Sequence, residues 1–231
     1  MYLLFGRSIE LLCIDLDDTL IDTEAVAPVR FATAVNAIRS IRPELATAAI
    51  EAAVDRALRT HPTEGRVANF LSDLAILDAD EVIAVRAAYF ERMMDGLRIV
   101  EGGAETLAAL RRHVQIAIVT NGPSELQREK LALLDLERQV DWIVISGEVG
   151  YEKPDTAIFQ HTLDLTGIDA SRAAHVGDSL LTDVAGANDA GLHSIWLRSP
   201  LVAARPDDAR LRPAATIAHV SELLGGGGPP Q

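Results

Sequence analysis

The sequence predicts an α/β protein with a Rossmann-like parallel sheet that is interrupted by an all-helical subdomain. From residue 103 onward, short apolar runs alternate with helical patterns, as in right-handed βαβ crossovers and parallel sheets covered on both faces. Between residues 24 and 95, by contrast, no strand-like run occurs. The first strand of the sheet is the apolar run Leu11–Ile14, which precedes this helical block. We therefore expect the helical block to be an insertion into the sheet domain.

Each element follows from a local pattern. In the helical block, Phe31, Ile38 and Ile41 follow helical spacing, and Pro43 marks a break. A turn at residues 61–65 separates this part from further helices. The predicted helices cover residues 66–77, 80–94, 104–112, 125–134, 155–165 and 181–190, with a short one ending at Leu224. The predicted strands cover residues 114–119, 142–145, 173–176, 194–197 and 216–217.

These elements define the predicted domains. Residues 1–22 and 97–224 form the Rossmann-like core, and residues 23–96 form the helical subdomain. Residues 1–10 are read as the lead-in to the first strand. The Gly- and Pro-rich segment 225–231 has nothing to bury, so we expect a disordered tail.

Composition excludes several classes of function. The chain has 231 residues and a formal net charge of −13, which argues against binding to nucleic acid or to an anionic membrane. No apolar run approaches the roughly 18 residues of a membrane span. The single cysteine, Cys13, lies inside an apolar run and is expected to be a packing residue. These features predict a cytoplasmic protein and leave its oligomeric state open. Most of the six histidines are expected at the surface.

The apolar run at Leu11–Ile14 ends in a cluster of carboxylates. Asp15, Asp17 and Asp18 follow it within four positions. In an extended segment, residues two apart face the same way, so Asp15 and Asp17 would converge and repel each other unless a hard cation lies between them. An acidic turn that follows an ordinary strand explains this stretch alone equally well.

Polar residues also follow the other predicted strands. Because ligands of open α/β sheets bind beyond the carboxyl ends of the strands, these residues should meet at one edge. They are Thr120 and Asn121 after the second strand, Lys153 after the third, and Asp178 and Asp183 after the fourth. Their coincidence at one edge favours a functional site over an acidic turn.

The residue types fit phosphoryl transfer. Such a site needs an in-line nucleophile, charge neutralisation, and donors for the phosphoryl oxygens. Asp15 is the candidate nucleophile, which would form an aspartyl-phosphate, and Asp17 the candidate acid and base. Thr120, Asn121 and Lys153 are candidate phosphate-binding groups. Asp178 would complete a Mg²⁺ site.

Three residues near this edge have competing interpretations. Asp183 either orients the metal site or Lys153, which we favour, or it caps the helix that it begins. For Ser179, a hydrogen bond within the metal site and a role at the start of a helix have equal support. Asp18 is expected to be a turn or capping residue. In the helical block, the cluster of Tyr89 and Phe90 with the nearby methionines is expected to pack in the core of the subdomain rather than to line a substrate pocket.

The set of motifs resembles the haloacid dehalogenase superfamily. The matching residues are Asp15-Leu16-Asp17-Asp18-Thr19, Thr120-Asn121, Lys153-Pro154, and Gly177-Asp178 with Asp183, and the resemblance covers about residues 9–200. The helical block resembles that family's helical cap. Residues 144–150 and 188–192 look most like the nucleotidases and the N-acylneuraminate-9-phosphatases. The chain departs from many relatives at Glu101, where they carry proline at the return hinge.

The resemblance implies a Mg²⁺-dependent phosphatase that acts on a small phosphorylated metabolite. It implies Mg²⁺ held by Asp15, by the backbone carbonyl of Asp17 and by Asp178. The family's dehalogenases lack the second aspartate, so Asp17 favours a phosphatase over a 2-haloacid dehalogenase. A phosphomutase is the main alternative. An inactive regulatory homologue is disfavoured, because it would not need Asp15, Asp17, Lys153 and Asp178 together.

Overall fold

The computed structural model describes residues 2–60, 66–198 and 208–225. The predicted turn at 61–65 and the predicted tail beyond Gly225 lie outside these residues. The chain divides into two compact units, which are Thr23–Leu97 and the combination of Met1–Asp22 with Arg98–Gln231. Within the described ranges, none of the helices combines the length and apolarity that crossing a membrane requires.

The larger unit contains a parallel sheet of six strands, as predicted. The strands are β3 (Leu11–Ile14), β4 (Gln115–Thr120), β5 (Trp142–Ile145), β6 (Ala173–Gly177), β7 (His193–Leu197) and β8 (Ala215–Ile217). Their spatial order is β5-β4-β3-β6-β7-β8, and every neighbouring pair is parallel. The α/β fold class is therefore confirmed.

Strand β3 lies inside the sheet and is buried along its whole length. Its register pairs Cys13 with Ala117 of β4 and with His175 of β6. All four residues of β3 are buried, as expected of a strand covered on both faces. Its carboxyl end consequently lies between those of β4 and β6.

Helices cover the sheet between its strands. They are α5 (Gly103–Leu110), α6 (Ser124–Leu133), α7 (Ser146–Val149), α8 (Thr156–Thr166) and α9 (Ala185–Asp189), with short 3₁₀ segments at Ala170–Arg172, Ala209–Leu211 and Val220–Leu224. The helix predicted at 181–190 begins differently, with a π-helical turn at Leu180–Val184. The carbonyl of Ser179 accepts from the N–H groups of both Asp183 and Val184, which widens this turn.

The amino-terminal residues form a hairpin rather than a simple lead-in. Strands β1 (Tyr2–Leu4) and β2 (Arg7–Ile9) pair antiparallel, with Leu4 opposite Arg7. Phe5 and Gly6 both have positive φ, which matches the handedness of a tight hairpin turn. Strands of three residues are too short for an alternating pattern to reveal them.

Helices are the only regular elements among the described residues of the smaller unit. It contains a 3₁₀ turn (Glu24–Val26) and the helices α1 (Ala27–Ile41), α2 (Thr47–Leu58), α3 (Arg66–Asp73) and α4 (Ala79–Glu91). Its core is built around Phe31, whose ring meets Phe70 and Tyr89 edge-on at centroid distances of 5.1 and 5.0 Å. Tyr89 is buried, as predicted, whereas Phe90 is partly exposed.

Candidate active site

The candidate site lies where the chain switches direction across the sheet. Strands β3 and β6 are neighbours, but the chain proceeds from β3 toward one edge of the sheet and from β6 toward the other. Crevices at such switch points are the usual ligand sites of open α/β sheets. Asp15 follows β3 directly, and its N–H donates to the carbonyl of Val176 at 2.9 Å. Asp178 follows β6 directly, so Asp15 and Asp178 both lie at this switch point.

Lys153 links two of the carboxylates. Its Nζ lies 2.5 Å from Asp15 Oδ1 and 2.7 Å from Asp183 Oδ1, and all three side chains are buried. Asn121 positions the lysine backbone, because its side-chain amide donates to the Lys153 carbonyl and accepts from the Lys153 N–H, both at 2.8 Å. The side chain of Asn121 is therefore a positioning group in this structure.

Asp183, which contacts Lys153, has further partners that hold its carboxylate in place. Its Oδ1 is 2.9 Å from His175 Nε2, and its Oδ2 accepts from the backbone N–H of Ser179 at 3.1 Å. A β-carbon at Gly177 would lie 2.2 Å from Asp183 Cγ, so only glycine leaves room for this carboxylate. Both oxygens of Asp183 are thus engaged within the protein.

The electrostatics of these groups reflect burial and mutual contact. Burial raises the pKa of Asp15 well above its usual range; Lys153 opposes this shift, and the neighbouring Asp183 and Asp178 add to it. Burial alone would lower the pKa of Lys153, but Asp15 and Asp183 outweigh it and the net shift is upward. Burial would likewise raise the pKa of Asp183, yet Lys153 and His175 hold it below its usual range. The two carboxylates therefore favour the charged form of the buried lysine.

Asp17 belongs to a second polar network on the same edge. Its Oδ1 accepts from Lys130 Nζ at 2.6 Å, and its Oδ2 accepts from Gln127 Nε2 at 2.9 Å. Gln127 also donates to Thr120 Oγ1 at 2.6 Å. Both Gln127 and Lys130 are buried residues of α6. Asp15 and Asp17 thus contact different lysines.

Sequence reasoning missed three of these groups. Gln127 and Lys130 sit at i and i+3 on one face of α6, a spacing that marks a shared helix face but not what that face meets. His175 lies within β6 and is buried, unlike the surface position expected of most histidines. The only feature of the sequence that indicated a role for His175 was its position inside an otherwise apolar strand.

Three buried carboxylates could hold a metal ion. Ligand atoms of Asp15, Asp178 and Asp183 all lie within 4.8 Å of one another. Lys153 contacts two of these carboxylates, Asp15 and Asp183, and oxygen donors of this kind suit Mg²⁺. Both oxygens of Asp183 are already engaged, Oδ1 by Lys153 and His175 and Oδ2 by a backbone N–H. The residues present therefore fit a divalent cation.

Two further residues take structural positions. Asp18 has φ of 57° in the turn that follows β3, and its N–H donates to the carbonyl of Ile21 at 2.8 Å. Ser179 Oγ accepts from the N–H of Thr182 at 3.2 Å, which is the helix-start role. Asp18 thus lies in a turn, as predicted.

Comparison with known proteins identifies the family. The haloacid dehalogenase-like hydrolase family matches residues 9–191. Phosphoserine phosphatase of Thermus thermophilus is 37% identical over 124 residues, which are 54% of this chain and 49% of that protein. N-acylneuraminate-9-phosphatase of Mus musculus is 40% identical over 92 residues, or 39% of this chain and 37% of that protein. This chain therefore spans half or less of these two relatives.

Two matches extend further along the chain. Glyceraldehyde 3-phosphate phosphatase of Pyrococcus furiosus is 30% identical over 200 residues, or 83% of this chain and 82% of that protein. The putative HAD-hydrolase YfnB of Bacillus subtilis has a similar fold, with a TM-score of 0.71, 22% identity, and coverage of 95% of this chain and 98% of that one. The resemblance that the motifs indicate is confirmed, and the chain belongs to the haloacid dehalogenase-like hydrolase family.

Proposed function

We propose that this protein is a Mg²⁺-dependent phosphatase that hydrolyses a small phosphomonoester through an aspartyl-phosphate on Asp15. The main support for this proposal is that the two aspartates contact different lysines. Asp15 contacts Lys153, whereas Asp17 contacts Lys130. Two carboxylates at one edge but in different environments suit two different roles in one reaction.

The first role is nucleophilic. Asp15 Oδ attacks phosphorus in line with the leaving oxygen, the P–O bond to the alcohol breaks, and an acyl phosphate forms. Lys153 faces the same carboxylate and supplies positive charge for the phosphoryl oxygens. Thr120 lies at the carboxyl end of β4 and is a further donor for them.

The second role is proton transfer. Asp17 protonates the departing alkoxide, then takes a proton from the water that attacks the acyl phosphate, which releases inorganic phosphate and regenerates Asp15. A halide leaves without a proton, so a dehalogenase would have no need of this carboxylate. The relatives named phosphatases agree with this assignment.

Asp15, Asp178 and the backbone carbonyl of Asp17 are the groups that would hold Mg²⁺. When bound, the ion neutralises charge on the phosphoryl group. Asp183 supports the site by holding Lys153. The three clustered carboxylates support the choice of a divalent cation with oxygen ligands.

The helical unit is proposed to act as a cap that excludes water and selects the substrate. The substrate class is a small phosphorylated metabolite, in keeping with the phosphorylated small molecules that the names of the relatives specify. A chain with one cysteine suits a reducing compartment, and we include a cytoplasmic location in the proposal.

The test is hydrolysis of a generic aryl phosphate and of a broad phosphomonoester panel, with and without Mg²⁺. Wild type should be active only with the cation, and Asp15→Asn should abolish activity while the protein remains folded. Glu152→Gln, next to Lys153 but exposed, is the matched control and should retain activity. A wild-type protein that is inactive across the panel would overturn the proposal.

A further inference from the structure

His175 is a buried polar side chain that takes no part in the proposed chemical steps. It lies within β6, where its neighbours in the register are Cys13 of β3 and Ser194 of β7. The residue is 1% exposed, and its ring meets that of Phe159 edge-on at a centroid distance of 5.0 Å. Burying an imidazole inside a parallel sheet costs free energy unless its polar atoms find partners, so a histidine at this position needs an explanation.

The two ring nitrogens of His175 have different surroundings. Nε2 lies 2.9 Å from Asp183 Oδ1, and since a carboxylate only accepts hydrogen bonds, Nε2 must carry a hydrogen. Nδ1 is buried and meets no hydrogen-bond partner among the residues that the structure describes. An unpaired buried nitrogen destabilises the fold, whereas an apolar side chain would fill the position without that cost. The hydrogen bond to Asp183 is therefore what distinguishes histidine from an apolar residue here.

Three donors contact the Asp183 carboxylate, and they come from different parts of the fold. Oδ2 accepts from the N–H of Ser179, which starts the π-helical turn that contains Asp183. Oδ1 accepts from Lys153 Nζ at 2.7 Å and from His175 Nε2. Ser179 is a local contact, and Lys153 is the group that the carboxylate has to hold. Among these three donors, His175 is the one that ties Asp183 to a strand of the sheet.

The contact between Asp183 and Lys153 becomes more important during the proposed reaction. Before the reaction, Lys153 contacts two carboxylates, Asp15 and Asp183. Once an oxygen of Asp15 bonds phosphorus, that residue no longer presents a carboxylate, whereas Asp183 is unchanged. Asp183 is then the carboxylate that keeps the ammonium group beside the reacting atoms. A displaced ammonium group would stabilise the phosphoryl oxygens less well.

We propose that His175 is a positioning residue of the active site. Its Nε2–H fixes the Asp183 carboxylate, and Asp183 in turn directs the Lys153 ammonium group toward Asp15 and the phosphoryl oxygens. In this role His175 touches neither the substrate nor the metal ion, and it acts through Asp183. Its kinetic consequences rest on the proposed phosphatase function, whereas its contacts are testable without activity.

The direct test observes the ammonium groups by NMR. The chain has two lysines, Lys130 and Lys153, so labelling with ¹⁵N-lysine gives two side-chain signals. Both lysines are buried and paired with carboxylates, and Lys130→Arg assigns the signals by removing one. In the full-length, metal-free protein, His175→Leu should shift the ¹⁵Nζ signal of Lys153 and leave that of Lys130 in place. An unchanged Lys153 signal, or equal changes at both lysines, would overturn the proposal.

Two further measurements separate the hydrogen bond from the bulk of the ring. His175→Gln keeps a donor in the direction of Nε2, so the Lys153 signal should stay near its wild-type position. Long-range ¹H–¹⁵N spectra of the ¹⁵N-histidine-labelled wild type should show a hydrogen on Nε2 of His175, with His175→Gln identifying the signal. This measurement does not depend on the folding of His175→Leu. An Nε2 without a hydrogen would refute the role.

Kinetics with Mg²⁺ measure the catalytic consequence. His175→Leu should lower kcat about ten-fold with little change in KM, because a misdirected ammonium group weakens stabilisation of the transition state. His175→Gln should recover most of the loss, which a purely structural role would not produce. His193→Leu is the matched control and should keep kcat. It replaces a half-buried histidine of β7 whose Nε2 also lacks a partner within the described ranges.

The outcomes distinguish this proposal from the proposed function. In an Asp183→Asn background, His175→Leu should cause no further loss of kcat, since both changes disable one contact. An active wild type with an equally active His175→Leu variant would contradict the positioning role and leave the phosphatase proposal intact. A wild type that is inactive across the substrate panel would contradict the phosphatase proposal. The Lys153 signal would still decide whether His175 acts on that lysine.

Discussion

Lys130 Nζ lies 2.6 Å from Asp17 Oδ1, and the lysine side chain is 3% exposed whereas the aspartate side chain is 32% exposed. Because Lys130 is buried, it holds the more exposed side chain of Asp17 in place. Gln127 completes the arrangement by donating to the other oxygen of Asp17, so both oxygens of this carboxylate have a defined direction. This contact assigns Lys130 a positioning role for the proposed acid and base.

Replacing Lys130 with methionine tests that role. The variant keeps much of the side-chain volume but loses the donor, so Asp17 should lose its fixed orientation. We expect kcat to fall about ten-fold, part of the roughly hundred- to ten-thousand-fold that general acid–base catalysis supplies, with little change in KM. Steady-state kinetics measure this, and Lys130→Arg should restore part of the loss.

A double-mutant cycle provides the control. In an Asp17→Asn background, Lys130→Met should cost no further activity, because both changes disable one function. If the two losses multiply instead, Lys130 acts independently of Asp17 and the positioning role is wrong.

Gly177 should tolerate no side chain. An added β-carbon would meet Asp183 Cγ at 2.2 Å, which would displace the carboxylate that holds Lys153. We expect Gly177→Ala to lower the free energy of unfolding by about 1–3 kcal/mol, as overpacking does, and to reduce activity. Chemical denaturation measures the first effect. Gly225→Ala, where the nearest atom would be 3.8 Å away, should be close to neutral, and equal losses in both variants would refute the argument.

Cys13 should be unreactive in the native protein. Burial raises the pKa of its thiol to about 12, so at pH 8 the reactive thiolate is almost absent. Because the shift is upward, raising the pH toward 10 should not restore reactivity while the fold persists. Alkylation followed by mass spectrometry should show no labelling until denaturant is added. Rapid labelling of the native protein would contradict the burial of β3.

Magnesium should stabilise the protein as well as activate it. Ligand atoms of three buried carboxylates lie within 4.8 Å of one another, so a bound cation relieves repulsion in the folded state alone. Saturating Mg²⁺ should raise the thermal midpoint, since a ligand at a hundred times its Kd adds about 2.7 kcal/mol.

Asp178→Asn supplies the contrast for the metal prediction. It removes one repelling charge, so the metal-free midpoint should stay level or rise, while the response to Mg²⁺ should shrink. Glu152→Gln should respond to Mg²⁺ as wild type does. A thermal midpoint of wild type that does not change when Mg²⁺ is added would argue against a metal at these carboxylates.

The sequence predicted most of the sheet because its signals are local. Apolar runs such as Trp142–Ile145 and the helical patterns between them depend on neighbours along the chain. Sequence patterns failed where an element is irregular or very short. The π-helical turn at Leu180–Val184 arises from Ser179 accepting two N–H groups, and the hairpin of Tyr2–Leu4 with Arg7–Ile9 is too short for a pattern.

The candidate site shows the same division. The clustering of Asp15 with Lys153 and Asp178 could be predicted, because strand ends of a parallel sheet converge on one edge. Lys130 could not, since nothing in its helix indicates that its buried face meets Asp17, a residue 113 positions away. For Asn121, the sequence indicated the correct edge but not the pairing of its amide with the Lys153 backbone.

The most direct test of the account is detection of phosphate on Asp15. An Asp17→Asn variant should form the acyl phosphate and hydrolyse it slowly, so acid quenching after mixing with an aryl phosphate and Mg²⁺ should trap it. Borohydride reduction and peptide mass spectrometry then locate the modified residue. We predict that the peptide containing Asp15 carries the phosphate, and that reduction converts Asp15 to homoserine. Phosphate on another residue, or turnover with no phosphoenzyme in wild type or Asp17→Asn, would contradict Asp15 as the nucleophile.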